Sequence, residues 1–261
     1  MTTQAHLFGA AGRTDDDQTL AELEVDYTPP AVAVQLLLAL DELADLNGSP
    51  GHCLCPAAGS GAFARAMRAV FGPLPVIVGV DIRESECTNL RAACDRVYIG
   101  DVMSLTTLGD FDDFGLVADN PPFTAFSTFW PGALLDGQRL APDATVAFYG
   151  LSSWGQSAEA AAHLERWSPS LQLRVGGRIA HRGSAAADAR EYSFWVWHTT
   201  GGKALDVRRR CHTRSRQAHP EWTTIQLPAL PTEMRRWSPS AVPGTYPIEP
   251  ALVDEIRRRY L

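Results

Sequence analysis

Phe114-Gly115-Leu116-Val117-Ala118-Asp119-Asn120-Pro121-Pro122-Phe123 is the stretch on which the reading of this 261-residue chain turns. Its first half, Phe114 to Ala118, is a short apolar run that predicts a buried strand. Two prolines then end that strand, because neither donates a ladder hydrogen bond. The residue before each proline is also pushed out of helical geometry, so the chain leaves the strand as a stiff, extended loop. Such a loop holds an amide side chain, free carbonyls and an aromatic ring in fixed relative positions. Those groups suit a planar base with an exocyclic amino group: Asn120 and the Pro121 carbonyl accept its two N–H bonds while Phe123 stacks on its face. An isolated Asn-Pro-Pro-Phe can equally do no more than end a strand, so its surroundings must decide.

Upstream, strands and helices alternate. Thr28 stands where a helix N-cap is expected, with Pro29 and Pro30 in the first turn. Val32, Leu36, Leu37, Leu40, Leu43 and Leu46 then recur at helical spacing until Asn47-Gly48. Strands are expected at His52–Cys55, Val76–Val80, Val97–Ile99, Phe114–Ala118 and Thr145–Tyr149. Helices are expected at Gly61–Phe71, Glu84–Ala93, Ser127–Leu140 and Ala158–Arg166. Leu171–Ile179 and Glu191–His198 read as a closing antiparallel pair, in which Trp195 and Trp197 place one face in the core. This alternation specifies a mostly parallel seven-stranded α/β sheet with helices on both faces. Ligands of such sheets bind at the carboxyl ends of the strands.

Three strand ends before the proline loop carry suitable groups. Cys55-Pro56-Ala57-Ala58-Gly59-Ser60-Gly61-Ala62-Phe63 lets a ligand approach the backbone and presents a helix N-terminus. Asp81 ends Val78-Gly79-Val80, where an acid accepts hydrogen bonds from ribose hydroxyls, and Ile82 follows it. Asp101, after Val97-Tyr98-Ile99-Gly100, is placed to accept from an adenine amino group, with Val102 beside the ring. Gly59-x-Gly61-x-x-Ala64 with Asp81 also satisfies the dinucleotide fingerprint, so a nicotinamide enzyme is a rival on that segment. The order of the four features along successive strands separates the two readings.

Taken together these residues resemble the class I S-adenosylmethionine-dependent methyltransferases that modify exocyclic amino nitrogens, particularly the DNA adenine-N6 enzymes of phage and restriction-modification type. The resemblance covers about residues 25–200. Tyr27-Thr28-Pro29-Pro30 is similar to their N-terminal cofactor motif and Pro56–Phe63 to their methionine-cradling loop. Asp81 and Asp101 match their ribose and adenine contacts, and Asn120, Pro121, Pro122 and Phe123 their catalytic loop. Residues 178–183 and 191–197 resemble the closing hairpin of phage-type members. The resemblance implies a Rossmann-like fold, with S-adenosylmethionine held by Tyr27, Thr28, Pro56, Ala57, Gly59, Gly61, Asp81, Ile82, Asp101, Val102 and Asn120. It implies DNA as the partner, with RNA adenine, a protein glutamine or a non-catalytic binding role as alternatives. The chain departs from the family at Cys55, where an acid that helps to position the methionine end is usual.

Composition is compatible with this picture. Hydrophobic content of 45% and charged content of 20% suit a globular domain with a sizeable core. No secretory signal or membrane-spanning run is visible, and the five cysteines lack the spacing of a disulfide framework or a metal site, which points to the cytoplasm. The net charge of −7 conceals a basic segment with Lys203, Arg208, Arg209, Arg210, Arg214 and Arg216. Arg208, Arg209 and Arg210 are the candidate phosphate contacts. The expected division is a flexible tail over 1–24, the methyltransferase domain over 25–200 and a basic, proline-rich extension over 201–261.

Overall fold

The computed structural model describes residues 27–44, 46, 50–102, 113–123, 140–157, 160–161, 163–164, 167–180, 190–198, 216–218, 222–236 and 248–261. The expected tail 1–24 and all but the last residue of the helix expected over Ser127–Leu140 lie outside these residues. Among the described residues nine strands form one sheet: β1 His52–Cys55, β2 Ile77–Asp81, β3 Arg96–Ile99, β4 Phe114–Asp119, β5 Leu140–Leu151, β6 Leu171–Gly176, β7 Tyr192–His198, β8 Arg216–Ala218 and β9 Thr223–Ala229. Their order is β3-β2-β1-β4-β5-β7-β6-β9-β8. Among the described residues, helices with defined bounds are α1 Pro30–Ala44, α2 Ala62–Phe71, α3 Cys87–Arg91 and α4 Pro250–Arg259. Among the described residues no helix is long and apolar enough to cross a membrane.

The centre of the sheet follows from its apolar runs. β1 and β4 lie side by side in parallel, with Cys53 opposite Leu116 and Leu54 opposite Val117. β2 and β3 continue on one side and β5 on the other, all parallel. Strand periodicity sends alternate residues to opposite faces. Cys53, Cys55, Ile77, Leu116, Ala118 and Tyr149 join α1, α2 and α4 in one core. Leu54, Val78, Val80, Val117, Val146 and Phe148 meet the tryptophans in the other. In that second core Trp154 stands edge-on to Trp195 at 5.3 Å and to Trp197 at 6.0 Å. Both faces of β7 are therefore core, a step beyond the single buried face expected. Residues 160, 161, 163 and 164 are helical, as expected for that segment.

The seven expected strands all form, and β7 closes antiparallel on both β5 and β6. Four details differ from expectation. Pro29 supplies the carbonyl that opens α1, to the amides of Val32 and Ala33 at 3.0 and 3.2 Å, so Thr28 precedes the cap rather than forming it. Leu140 opens β5 instead of ending a helix. β6 stops at Gly176 rather than at Ile179, because Gly177 takes φ +78 and turns the chain. Glu84–Ala93 divides into a short 3-10 turn, Glu84–Glu86, followed by α3.

The largest difference lies after residue 200. β9 pairs in parallel with β6, Leu173 opposite Ile225, and β8 pairs with β9. The proline-rich segment therefore adds strands to the same sheet, and α4 buries Val253 and Ile256 in the core shared with α1. Gln35, fully buried on α1, ties this segment down by donating from Nε2 to the carbonyls of Pro228 (2.8 Å) and Tyr260 (3.2 Å). Removing a buried donor of this kind leaves carbonyls unsatisfied at a cost of about 1–3 kcal/mol. Gln35→Ala is expected to lower the unfolding free energy by about that amount in urea titration, with the m-value unchanged.

Candidate active site

Carboxyl ends of neighbouring parallel strands face one way, so β3, β2, β1 and β4 bring Asp101, Asp81, the glycine loop and Asn120 along one rim. The loop after β1 is pinned from two sides. The Ala58 amide donates to the Val80 carbonyl at 2.8 Å, and the Gly61 amide to the Ala58 carbonyl at 2.7 Å. Gly61 then enters α2 at φ +84, where an added Cβ would stand 2.9 Å from that of Ala93. Glycine alone meets both conditions.

Two carboxylates grip this loop. Asp81, almost fully buried at the end of β2, accepts the Gly59 amide on Oδ2 at 2.7 Å. The same carboxylate accepts the Arg83 amide and Nε on Oδ1, both at 2.9 Å, and Arg83 Nη2 on Oδ2 at 3.1 Å. Four donors therefore already converge on the acid expected to meet ribose hydroxyls. Arg83 also pairs with Glu86 at 3.4 Å, and Glu86 accepts the Tyr27 hydroxyl at 2.6 Å. Burial and then this acidic partner push the Tyr27 phenol up to about 12. The sequence alone does not single out Arg83 and Glu86; their i, i+3 spacing just past Asp81 is the only signal it offers.

The second carboxylate is Asp119, the last residue of β4. Its Oδ2 accepts the Ala57 amide at 2.8 Å and its Oδ1 accepts the Asn120 amide at 2.9 Å. One side chain thus spans the loop after β1 and the loop after β4, a role that nothing in the linear stretch around it signals. Burial pushes its carboxyl up to about 7, aided by the negative charge of Asp81 and opposed by the two amide bonds.

Asn120, Pro121, Pro122 and Phe123 follow at the rim. Phe123 is half-buried, its ring 5.8 Å from that of Tyr192, which stacks at 5.3 Å on Tyr149; the Arg190 guanidinium stands 5.5 Å over Phe123. Thr28 and Ser60 are buried, and their hydroxyls have no hydrogen-bond partner among the described residues. Ile82 is 39% exposed, whereas Val102 is buried in the core below the rim. A hydrophobic shelf at Ile82, close backbone approach at Gly59 and Gly61 and unsatisfied hydroxyls at Thr28 and Ser60 fit an amphipathic nucleoside cofactor.

Cys55 is fully buried, its Sγ 3.8 Å from the sulfur of Met67. Burial, and next the charge of Asp119, hold its thiol well above the usual range, so it is neutral and not a nucleophile. Among the described residues no three His, Cys, Asp or Glu side chains gather as a metal site. His198 bonds Thr145 across β5 and β7 at 3.0 Å, a structural contact. Arg208, Arg209 and Arg210 lie outside the described residues.

No family model and no curated protein matches the sequence. The fold, by contrast, matches solved structures. A proposed RNA methyltransferase from Pyrococcus horikoshii superposes with a TM-score of 0.52 at 16% identity, over 70% of this chain and 91% of its own. A proposed class I S-adenosylmethionine-dependent methyltransferase from Listeria monocytogenes gives 0.52 at 10% identity, over 95% and 72%. The modification subunit of a proposed type I restriction enzyme from Vibrio vulnificus gives 0.51 at 14%, over 90% and 52%, so this chain spans about half of that subunit. The chain has the class I methyltransferase fold.

The shared carboxylate makes the two loops titrate together. The folded-state value of Asp119, about 7, lies above the ordinary carboxylate value. Its proton therefore persists across the interval between them, and its stability contribution falls as pH rises through that interval. Only above about pH 7 do both oxygens accept. In a pH series of amide NMR spectra, the Ala57 and Asn120 resonances are expected to move together with a midpoint near 7. Asp119→Asn is expected to abolish that shared step.

Proposed function

We propose that this protein is an S-adenosylmethionine-dependent methyltransferase that modifies an exocyclic amino nitrogen, adenine N6 in DNA. The observation that carries the reading is the Asp119 carboxylate held between the Ala57 and Asn120 amides. It sets the glycine loop, which suits a nucleoside cofactor, beside Asn-Pro-Pro-Phe, which suits an amino-bearing base. A strand terminator without function needs no such coupling.

S-adenosylmethionine, when bound, supplies an electrophilic methyl group. Gly59 and Gly61 would admit the methionine end to the backbone, and Tyr27, Thr28, Pro56 and Ala57 would border it. At β2 the Asp81–Arg83 pair, rather than a bare carboxylate, would hold the ribose. Ile82 and Asp101 would take the adenine side, with Val102 in the core beneath them. Asn120 and the Pro121 carbonyl would accept the two N–H bonds of the target amino group, which draws its lone pair out of conjugation and orients it. Orientation and desolvation, rather than a strong base, lower the barrier. In duplex DNA the target base leaves the stack, and Phe123, braced by Tyr192, offers it a face. Such stacking is worth about 1–3 kcal/mol.

Purified protein is expected to bind S-adenosylhomocysteine, not NADH, in thermal-shift titration, and to transfer labelled methyl to DNA in preference to RNA or protein. Asn120→Ala is expected to reduce transfer by about 100-fold or more, the scale of losing one group that stabilises developing charge, while cofactor affinity changes little. Undiminished transfer by that variant overturns the mechanism, and methyl recovered on RNA or glutamine overturns the substrate.

The basic segment at Arg208, Arg209 and Arg210 is assigned to backbone phosphates. Replacing all three with alanine is expected to weaken duplex binding in fluorescence anisotropy. For every phosphate that is no longer neutralised, the plot of log K against log salt flattens by about 0.9.

A further inference from the structure

Acids at strand ends hold this rim together, and each does so in a recognisable way. Asp81 caps its own loop by accepting the Arg83 amide, two residues on, and reaches across to the Gly59 amide on the neighbouring strand's loop. Acceptance two residues on is the local pattern that aspartate side chains favour. At the end of β1 the equivalent residue is Cys55, two residues before Ala57. Its neutral, buried thiol cannot offer the Ala57 amide a carboxylate oxygen. That amide is nonetheless satisfied, from the adjacent strand β4, by Asp119. Cys55 and Asp119 lie close enough for the charge of one to raise the other's titration.

We propose that Asp119 is the positioning acid of this site, one carboxylate that holds the glycine loop and the Asn-Pro-Pro-Phe loop in register and replaces from β4 the anchor that Cys55 lacks on β1. The inference rests on the methyltransferase reading for its kinetic consequence but not for its geometry. An amide at 119 cannot do the same work: both Ala57 and Asn120 are donors, and a carboxamide offers one acceptor oxygen and one NH2 group. One of the two loops must then face a donor. Asp119 does not reach the acceptor or the methyl group in this scheme. It acts through the Ala57 and Asn120 backbones, so its loss should affect cofactor affinity and turnover together.

The test compares wild type, Asp119→Asn, Asp119→Ala, Cys55→Asp and the exchange variant Cys55→Asp/Asp119→Ala, each checked for cooperative unfolding. S-adenosylhomocysteine affinity by calorimetry and kcat at saturating cofactor are read separately. Asp119→Asn and Asp119→Ala are expected to bind about tenfold more weakly and turn over about 100-fold more slowly, on the scale of misplacing a reacting group. The exchange variant is expected to recover cofactor affinity to within about threefold while kcat stays low, because an acid at 55 reaches Ala57 but not Asn120. A merely structural role would move affinity and kcat with stability and show no such split. Unchanged affinity and kcat in Asp119→Asn, or an exchange variant no better than Asp119→Ala, overturns the assignment.

A wild type that binds no S-adenosylhomocysteine overturns the methyltransferase reading instead. The register claim is then read from the Ala57 amide resonance. It stands if that resonance titrates in wild type and in the exchange variant and is flat in Asp119→Asn, and it falls otherwise. If Asp119→Ala does not fold, Asp119→Asn and the exchange variant decide.

Discussion

A carboxylate without water around it must find donors within the protein, because an unpaired buried charge costs several kcal/mol. Asp119 is 2% exposed, and the donors it finds belong to two different loops. This constraint orders the rim. It ties the exit of β1 to the exit of β4, and the parallel pairing of those strands makes the two exits neighbours. The same pairing brings Cys55 near Asp119, and burial first, then the charge of that acid, keeps the thiol protonated.

The adjoining corner repeats the device with a larger cast. Asp81 holds Gly59 and Arg83, Arg83 pairs with Glu86, and Glu86 takes the Tyr27 hydroxyl from the segment before α1. Tyr27, Arg83 and Glu86 are therefore a continuous polar chain that fixes the N-terminal segment against the glycine loop. Each member is held by more than one partner, Glu86 also accepting Asn89 Nδ2 at 2.9 Å, and such shared bonds hold the network's geometry. The loop after β2 and the loop after β4 are thus each organised by one strand-end carboxylate.

Away from the rim, the sheet is broadened by chain that composition marks as a tail. Seven prolines after residue 219 leave the final stretch Pro250–Tyr260 as the one clear helix there; it forms as α4 beside α1, and β9 lies on the edge of β6 besides. The prolines fall largely between these elements, and Pro228 lies inside β9, where it leaves its carbonyl to Gln35. Proline forbids a donor, not an acceptor. A strand near the sheet's edge and a helix start therefore tolerate it, and a buried glutamine uses it.

Periodicity, glycine and proline are local signals, each acting on its neighbours in the chain. They suffice for the seven strands of the central sheet, for their alternation with helices and for the placing of Gly59, Gly61, Asp81, Asp101 and Asn120 through Phe123 at strand ends. What depends on distant partners is invisible to them. Gln35 reads as an ordinary helix residue until Pro228 and Tyr260 arrive, and the tail's strands are short pieces that become strands only beside β6. Asp119 reads as the residue before an asparagine until β1 lies against β4 and presents the Ala57 amide. That the anchor of the rim stands at 119 rather than at 55 emerges with the folded sheet alone, because a hydrogen bond between loops needs both in place.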